Sequence, residues 1–159
     1  MGDGIGFRRG QGGDPGAKLG RRGTRRMKVL RVLLIEDNPA DVELTREALD
    51  QAGLAYTMEV ASDFEQAREQ IKRIADGEAL PDILLMDLNL PKGSGFELLK
   101  ILQQHPERQK VPVIIVSSSN ASRDRAQAAE LGAAHYFRKP SDLDEFMKLG
   151  PLVMRSVGR

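Results

Sequence analysis

Four short strand-like runs in this chain are each followed by side chains that carry a carboxylate, a hydroxyl or an ammonium group. The runs are Val32–Ile35, Ile83–Met86, Val113–Val116 and His135–Arg138, and the polar residues that follow them are Glu36 with Asp37, Asp87, Ser117 and Lys139. Short, nearly continuous apolar runs are typical of strands buried in a parallel sheet. The carboxyl ends of such strands share one edge of an open sheet, where ligands bind. We therefore expect these polar groups to converge on a single site.

Strand-like and helix-like segments alternate along the chain from Lys28 onward. Pro39 suits the first turn of a helix and Gly53 its end, and the next strand is predicted over Tyr56–Ala61. The same pattern continues to give five strands that alternate with five helices. Right-handed helical crossovers between parallel strands predict an α/β protein with a doubly wound, five-stranded sheet. The strand order that we expect, 2-1-3-4-5, is that of the known flavodoxin-like arrangement.

Particular residues mark the ends and the interior of the predicted helices. Ser62 and Ser141 each precede a predicted helix, and a serine hydroxyl in that position accepts a hydrogen bond from the first turn. The dipeptide Gly150-Pro151 lies within the last predicted helix. Because a proline in a helix interior costs ~3 kcal/mol, we expect a kink or a break there.

Composition separates the chain into a tail and one domain. Residues 1–27 are rich in Gly and Arg and lack apolar periodicity, which predicts a disordered tail, and residues 28–157 are expected to form the domain. The chain has no cysteine, which excludes disulfides and thiolate chemistry and suits a reducing cytoplasm. No apolar run approaches the ~20 residues of a membrane helix, so we expect no membrane partner.

The formal net charge of +1 is distributed unevenly. Residues 1–28 hold eight basic residues against Asp3 and Asp14, so the rest of the chain carries a net charge of −5. A basic tail can contact nucleic acid through its phosphates. A solvated extension, or translation that begins at Met27, explains the tail more simply, and we therefore expect no nucleic-acid partner.

The carboxylates that follow the strands predict a site for a hard cation and a phosphoryl group. Glu36 and Asp37 are adjacent, and two neighbouring carboxylates are costly unless a positive charge lies near them. Mg²⁺ prefers oxygen ligands and binds one or two protein carboxylates together with phosphate oxygens. Asp87 adds a third carboxylate and is the candidate nucleophile, because carboxylates form aspartyl phosphates. Ser117 and Lys139 are candidates for binding phosphoryl oxygens.

Several of these residues also have a simpler interpretation. Asp37 could cap the helix that opens at Pro39, Ser117 could be a turn residue, and Lys139 could be a solvated surface lysine. These interpretations do not account for Asp87 and Lys139 together.

Four separate motifs resemble the receiver domain of bacterial two-component response regulators. They are Glu36-Asp37-Asn38, the run DLNLPKGSG from Asp87 to Gly95, Ser117, and Tyr136-Phe137-Arg138-Lys139-Pro140. The resemblance covers residues 28–157. The strings around Asp37 and Asp87 look most like single-domain regulators that partner phytochrome-type, light-sensing histidine kinases.

The resemblance implies a role for each candidate site residue. Asp87 would accept a phosphoryl group from a histidine kinase, and Ser117 and Lys139 would bind the phosphoryl oxygens. The Mg²⁺ ligands would be Glu36 (through a water), Asp37, Asp87 and Asn89 (through its backbone carbonyl). Ser117 and Tyr136 would switch the face formed by the fourth helix, fifth strand and fifth helix. The protein would be a signalling phosphoacceptor with slow autodephosphorylation and not an enzyme.

The segment after Pro140 bears on the output of such a regulator. Nineteen residues follow it, enough for one helix and for no output domain. We therefore expect output by protein–protein contact, phosphorelay or phosphoryl storage. The switching face is a candidate for a homodimer interface, and the break expected at Gly150-Pro151 argues against one.

Two other functions compete with this interpretation. A phosphatase of the haloacid-dehalogenase type also uses an aspartate nucleophile, Mg²⁺, a hydroxyl and a lysine. It would need a substrate-capping domain and a second aspartate two residues after Asp87, where this chain has Asn89. The other alternative is a receiver-like binding module that is never phosphorylated; because every chemical position is filled, no residue favours it.

Overall fold

The computed structural model describes residues 28–78, 80–105 and 110–158, so the tail predicted over residues 1–27 lies outside the described residues. The strands of the main sheet are β1 (Leu30–Ile35), β2 (Tyr56–Ala61), β3 (Ile83–Met86), β4 (Val113–Ser117) and β5 (His135–Arg138). The helices are α1 (Pro39–Gln51), α2 (Phe64–Ala75), α3 (Gly95–Gln103), α4 (Ser122–Glu130), α5 (Leu143–Phe146) and α6 (Leu149–Ser156). A small hairpin between β3 and α3 pairs Asn89–Leu90 with Gly93–Ser94.

The strands of the main sheet are all parallel and lie in the order β2-β1-β3-β4-β5. This order confirms the predicted flavodoxin-like topology. The register pairs Ile35 with Met86, Met86 with Ile115, and Ser117 with Arg138. The residues that follow β1, β3 and β5 therefore emerge at the same edge of the sheet.

The sheet separates two apolar layers. One layer packs strand residues such as Leu33 and Leu84 against α2, α3 and Ala128 of α4. The other packs strand residues such as Leu34 and Leu85 against α1, α5 and α6. Successive strand residues belong to opposite layers because side chains along a strand alternate between its two faces. Within the described ranges, no helix has the length and apolar character needed to cross a membrane.

β5 lies at one end of the strand order and contributes to both layers. Tyr136 packs against the layer that contains α2, α3 and α4. Phe137, the next residue, packs against the layer that contains α1, α5 and α6. Its ring meets the ring of Phe146 edge-on, with the centroids 5.9 Å apart. The strand that precedes Lys139 is therefore in contact with helices on both sides of the sheet.

Aspartates cap the two helices for which serine caps were predicted. Asp63 caps α2, and its carboxylate accepts the Gln66 N–H at 2.8 Å. Asp142 caps α5 and accepts hydrogen bonds from the first turn of that helix. The prediction of Ser62 and Ser141 was wrong by one residue in each case, because the adjacent aspartate offers an equally suitable acceptor at the position where the helix begins.

The last predicted helix is divided into α5 and α6, as its proline suggested. The break falls at Met147-Lys148, one turn before Pro151. Pro151 lies in the first turn of α6, where its missing N–H leaves no helical hydrogen bond unmade. Gly150 brings α6 close to α1, because a Cβ at this position would overlap the Ala48 carbonyl oxygen and lie 2.7 Å from the Ala52 Cβ.

Candidate functional site

The end of β1 places two carboxylates at the shared edge. Glu36 continues the strand, since its N–H donates to the Ala61 carbonyl at 3.0 Å, and it is only 3% exposed. Asn38 caps α1 by accepting the Ala40 N–H at 2.9 Å. Asp37 is exposed and is not the cap, so the simpler interpretation of this residue was wrong.

Lys139 connects β5 to the carboxylates at the ends of β1 and β3. Its backbone N–H donates to the Ser117 carbonyl at 2.8 Å. Its Nζ contacts Glu36 Oε1 at 2.8 Å, Asp41 Oδ2 at 2.8 Å and Asp87 Oδ2 at 2.9 Å. The Lys139 side chain is 11% exposed, so it is not a solvated surface lysine. An ammonium group has three N–H donors, and these three carboxylates match that number.

Burial and charge act in opposite directions on the two most buried groups of the site. Burial raises the pKa of Glu36 to about 7, and the Asp87 charge adds to this effect, while Lys139 opposes it. For Lys139, burial lowers the pKa, but hydrogen bonds to Asp41, Glu36 and Asp87 outweigh burial and raise it. Lys139 therefore stays charged at neutral pH, whereas the pKa of Glu36 lies close to neutral pH.

Three carboxylates at this edge form a group of the kind that binds a hard cation. Glu36, Asp37 and Asp87 each offer one oxygen atom, and these atoms all lie within 4.8 Å of one another. Asp87 is held in place by the backbone N–H of Asn89, which donates to its Oδ1 at 3.1 Å. An all-oxygen set with this net negative charge fits Mg²⁺.

Ser117 is the last residue of β4, where its carbonyl accepts the Lys139 N–H, and it is connected to Tyr136 through Ser119. Ser117 is fully buried, and its Oγ accepts the Ser119 N–H at 3.2 Å. The Tyr136 hydroxyl donates to the Ser119 carbonyl at 3.0 Å, and the guanidinium of Arg125 lies 4.6 Å from the centre of the tyrosine ring. Tyr136 thus reaches the loop that follows β4 and is linked to Ser117 through Ser119.

Asp41 contacts Lys139 in the site and was missed by sequence reasoning. It is the third residue of α1, and an acidic residue in a first turn is already explained by the helix dipole. The signal that could have revealed it is its position one turn after Asp37, on a helix that begins at the same sheet edge.

A comparison with known families assigns the chain. The response regulator receiver domain matches residues 32–149. The chain belongs to this family. It therefore contains the phosphoacceptor module of two-component signalling, and the expected family is confirmed.

Two curated relatives match the chain at about 30% identity. The chain is 29% identical to response regulator Rcp1 of Synechocystis sp. over 120 residues, which is 74% of this chain and 82% of Rcp1. It is 30% identical to the phosphate regulon transcriptional regulatory protein PhoB of Klebsiella pneumoniae over 127 residues, 80% of this chain. The chain spans about half of PhoB, 52% of its length, and most of Rcp1.

Solved structures give the same assignment. The phosphorylated cyanobacterial phytochrome response regulator RcpA matches with a TM-score of 0.73 and 25% identity, over 82% of this chain and 96% of RcpA. The Mn²⁺-bound form of Rcp1 matches with a TM-score of 0.66 and 25% identity, over 79% of this chain and 91% of that structure.

Proposed function

We propose that this protein is a single-domain response regulator that accepts a phosphoryl group from a histidine kinase on Asp87, with Mg²⁺ as cofactor. The observation that carries the proposal is the position of the Lys139 ammonium, 2.9 Å from Asp87 Oδ2 and 2.8 Å from Glu36 Oε1. It lies at the edge where three carboxylates could bind a metal. Phosphoryl transfer requires this combination of a nucleophile and cations on one centre.

Asp87 acts as the nucleophile in this proposal. One of its carboxylate oxygens attacks phosphorus, the P–N bond of the phosphohistidine breaks, and the electron pair remains on the imidazole. A carboxylate is already ionised at neutral pH, so no general base is needed. Hydrogen bonds from the Asn89 N–H to Oδ1 and from Lys139 to Oδ2 orient the carboxylate for the attack.

The remaining site residues stabilise the negative charge of the phosphoryl oxygens during transfer. Mg²⁺, when bound, neutralises phosphoryl oxygens and supplies charge stabilisation in the transition state. Its proposed ligands are Glu36 (through a water), Asp37, Asp87 and the backbone carbonyl of Asn89. Lys139 provides a cation beside Asp87, and the Ser117 hydroxyl provides a donor for another phosphoryl oxygen.

The switch proposed for the phosphorylated form runs through the loop after β4. A shift of Ser117 toward the phosphoryl group would disturb its bond with the Ser119 N–H, and Ser119 in turn holds the Tyr136 hydroxyl. Tyr136 would then reorient and change the face formed by α4, β5 and the divided last helix, α5 with α6. This face is the proposed output surface and the candidate homodimer interface.

The relatives also support a partner for the proposed domain, which we place at residues 28–157. RcpA is a phytochrome response regulator, and we extend that partnership to this chain by proposing a phytochrome-type histidine kinase as the donor. Phosphotransfer from a panel of purified histidine kinases would test it, and faster transfer from kinases without a light-sensing module would contradict it. We place the reaction, and slow autodephosphorylation of Asp87, in the cytoplasm.

Labelling with acetyl phosphate tests the phosphoacceptor directly. The protein with Mg²⁺ and acetyl phosphate is expected to gain the mass of one phosphoryl group, and Asp87→Asn is expected to abolish the gain. Asp76→Asn is the matched control, because Asp76 is an exposed aspartate at the end of α2. Equal labelling of the Asp87→Asn variant would show that another residue is the acceptor, and no labelling of the unaltered protein would contradict the proposed function.

A further inference from the structure

We propose that Asp41 is a positioning residue for Lys139, which keeps the ammonium in place when the other carboxylates engage metal and phosphoryl group. The inference rests on the proposed function of Asp87. It starts from the contact between Asp41 Oδ2 and Lys139 Nζ, which at 2.8 Å is as short as the contact between Lys139 and Glu36.

The number of donors on the ammonium makes the Asp41 contact important. Lys139 has three N–H donors and three carboxylate partners within 2.9 Å. A phosphoryl oxygen that binds Lys139 must therefore replace one of these carboxylates. The partner that it replaces cannot also hold the ammonium in position during the reaction.

Asp41 differs from Glu36 and Asp87, the other two partners of Lys139, because it does not belong to the carboxylate group that could bind a metal ion. Glu36 and Asp87 belong to the set of carboxylates whose oxygen atoms lie within 4.8 Å of one another, and Asp41 does not. Glu36 and Asp87 would therefore interact with a bound cation, and Asp87 would also carry the phosphoryl group. Asp41 is the partner whose bond to Lys139 survives both events.

The position of Asp41 on α1 is well suited to this role. Its backbone carbonyl accepts a hydrogen bond from the hydroxyl of Thr45 at 2.8 Å, and Thr45 is buried. The first turn of α1 also begins with Pro39 and is capped by Asn38. The carboxylate of Asp41 is therefore presented to the ammonium from a turn that is held by these hydrogen bonds.

Removal of the Asp41 charge has two effects of opposite sign on phosphorylation. One negative charge fewer at the site favours the approach of an anionic donor such as acetyl phosphate. Loss of the bond to Lys139 leaves the ammonium free to move, and small displacements of a catalytic group slow a reaction strongly. We expect the second effect to dominate, so Asp41→Asn should slow labelling of Asp87 by about tenfold.

A double-mutant cycle tests the role of Asp41 through Lys139. Initial rates of acetyl phosphate labelling at saturating Mg²⁺ are measured for the unaltered protein, Asp41→Asn, Lys139→Met and the double variant. If Asp41 acts by positioning Lys139, its substitution slows labelling only when Lys139 is present. Glu43→Gln is the matched control for loss of an acidic residue on α1, since Glu43 is exposed and pairs only loosely with Arg46, at 3.6 Å.

The outcomes separate this inference from the proposed function. Labelling of Asp41→Asn at or above the rate of the unaltered protein overturns the inference alone, as does an equal slowing with and without Lys139. No labelling of the unaltered protein overturns both. If Lys139→Met does not fold, exchange of the Lys139 ammonium protons, followed by NMR, replaces the cycle. Faster exchange in Asp41→Asn is expected, and unchanged exchange overturns the inference.

Discussion

Replacement of Glu36 by glutamine should change how the stability of the domain depends on pH. Burial raises the pKa of this carboxyl from 4.5 to about 7 in the folded protein. The folded state therefore binds more protons than the unfolded chain between these two values. Its free energy of unfolding should fall as the pH rises through that window, and the loss should be complete above pH 7. Glutamine has the same shape and does not titrate.

The size of the effect follows from the shift in pKa. Each unit corresponds to about 1.4 kcal/mol of differential interaction, so the ionised form of Glu36 costs the folded state about 3 kcal/mol. Relative to the unaltered protein, Glu36→Gln should gain stability between pH 4.5 and 7 by about this amount. Hydrogen bonding to Lys139 already opposes the shift, so the gain is what remains after that compensation.

Urea denaturation followed by circular dichroism measures the effect, because the chain contains no tryptophan for fluorescence. The experiment compares both proteins at several pH values from 4.5 to 8 in EDTA, so that no divalent cation occupies the carboxylates. Glu47→Gln, at an exposed position of α1, controls for the loss of one carboxylate. A stability difference that is flat or falls as the pH rises would refute the reasoning, since it would mean that Lys139 stabilises ionised Glu36 more than burial destabilises it.

Two further perturbations test the packing and the metal site. Gly150→Ala should lower the free energy of unfolding by about 1–3 kcal/mol, because its Cβ would overlap the Ala48 carbonyl; a higher melting temperature, the usual result of Gly→Ala in a helix, would contradict the close approach of α1 and α6. Mg²⁺ at millimolar concentration should raise the melting temperature of the unaltered protein by binding only its folded state, and should do so less for Asp37→Asn; equal shifts would exclude Asp37 as a ligand.

The sheet could be predicted from the sequence because its strands are buried and bounded by turns. The predicted bounds of Tyr56–Ala61 and the order of the strands agree with the structure. The caps could not be predicted with the same accuracy, since Ser62 and Asp63 are adjacent and equally able to accept the first N–H groups of α2. Which of the two occupies the N-cap position depends on where the preceding strand β2 ends.

The site could be predicted as a set of strand-end residues, but its connections could not. Convergence of Glu36, Asp87 and Lys139 follows from parallel topology alone. The contact of Lys139 with Asp41 joins residues 98 positions apart, and it depends on the angle at which α1 leaves the sheet edge. No local pattern encodes that angle. The roles of Ser117 and Tyr136 depend on a second conformation and remain predictions.

The two aromatic residues of β5 connect this strand to the helices on both faces of the sheet. Tyr136 and Phe137 pack, partly buried, against opposite layers, and Lys139 directly follows the last residue of this short strand. A shift of the backbone at Lys139 that extended into β5 would move the rings of Tyr136 and Phe137 together. The helices on both faces of the sheet would then be displaced together. A binding partner could therefore recognise the displaced form from either face.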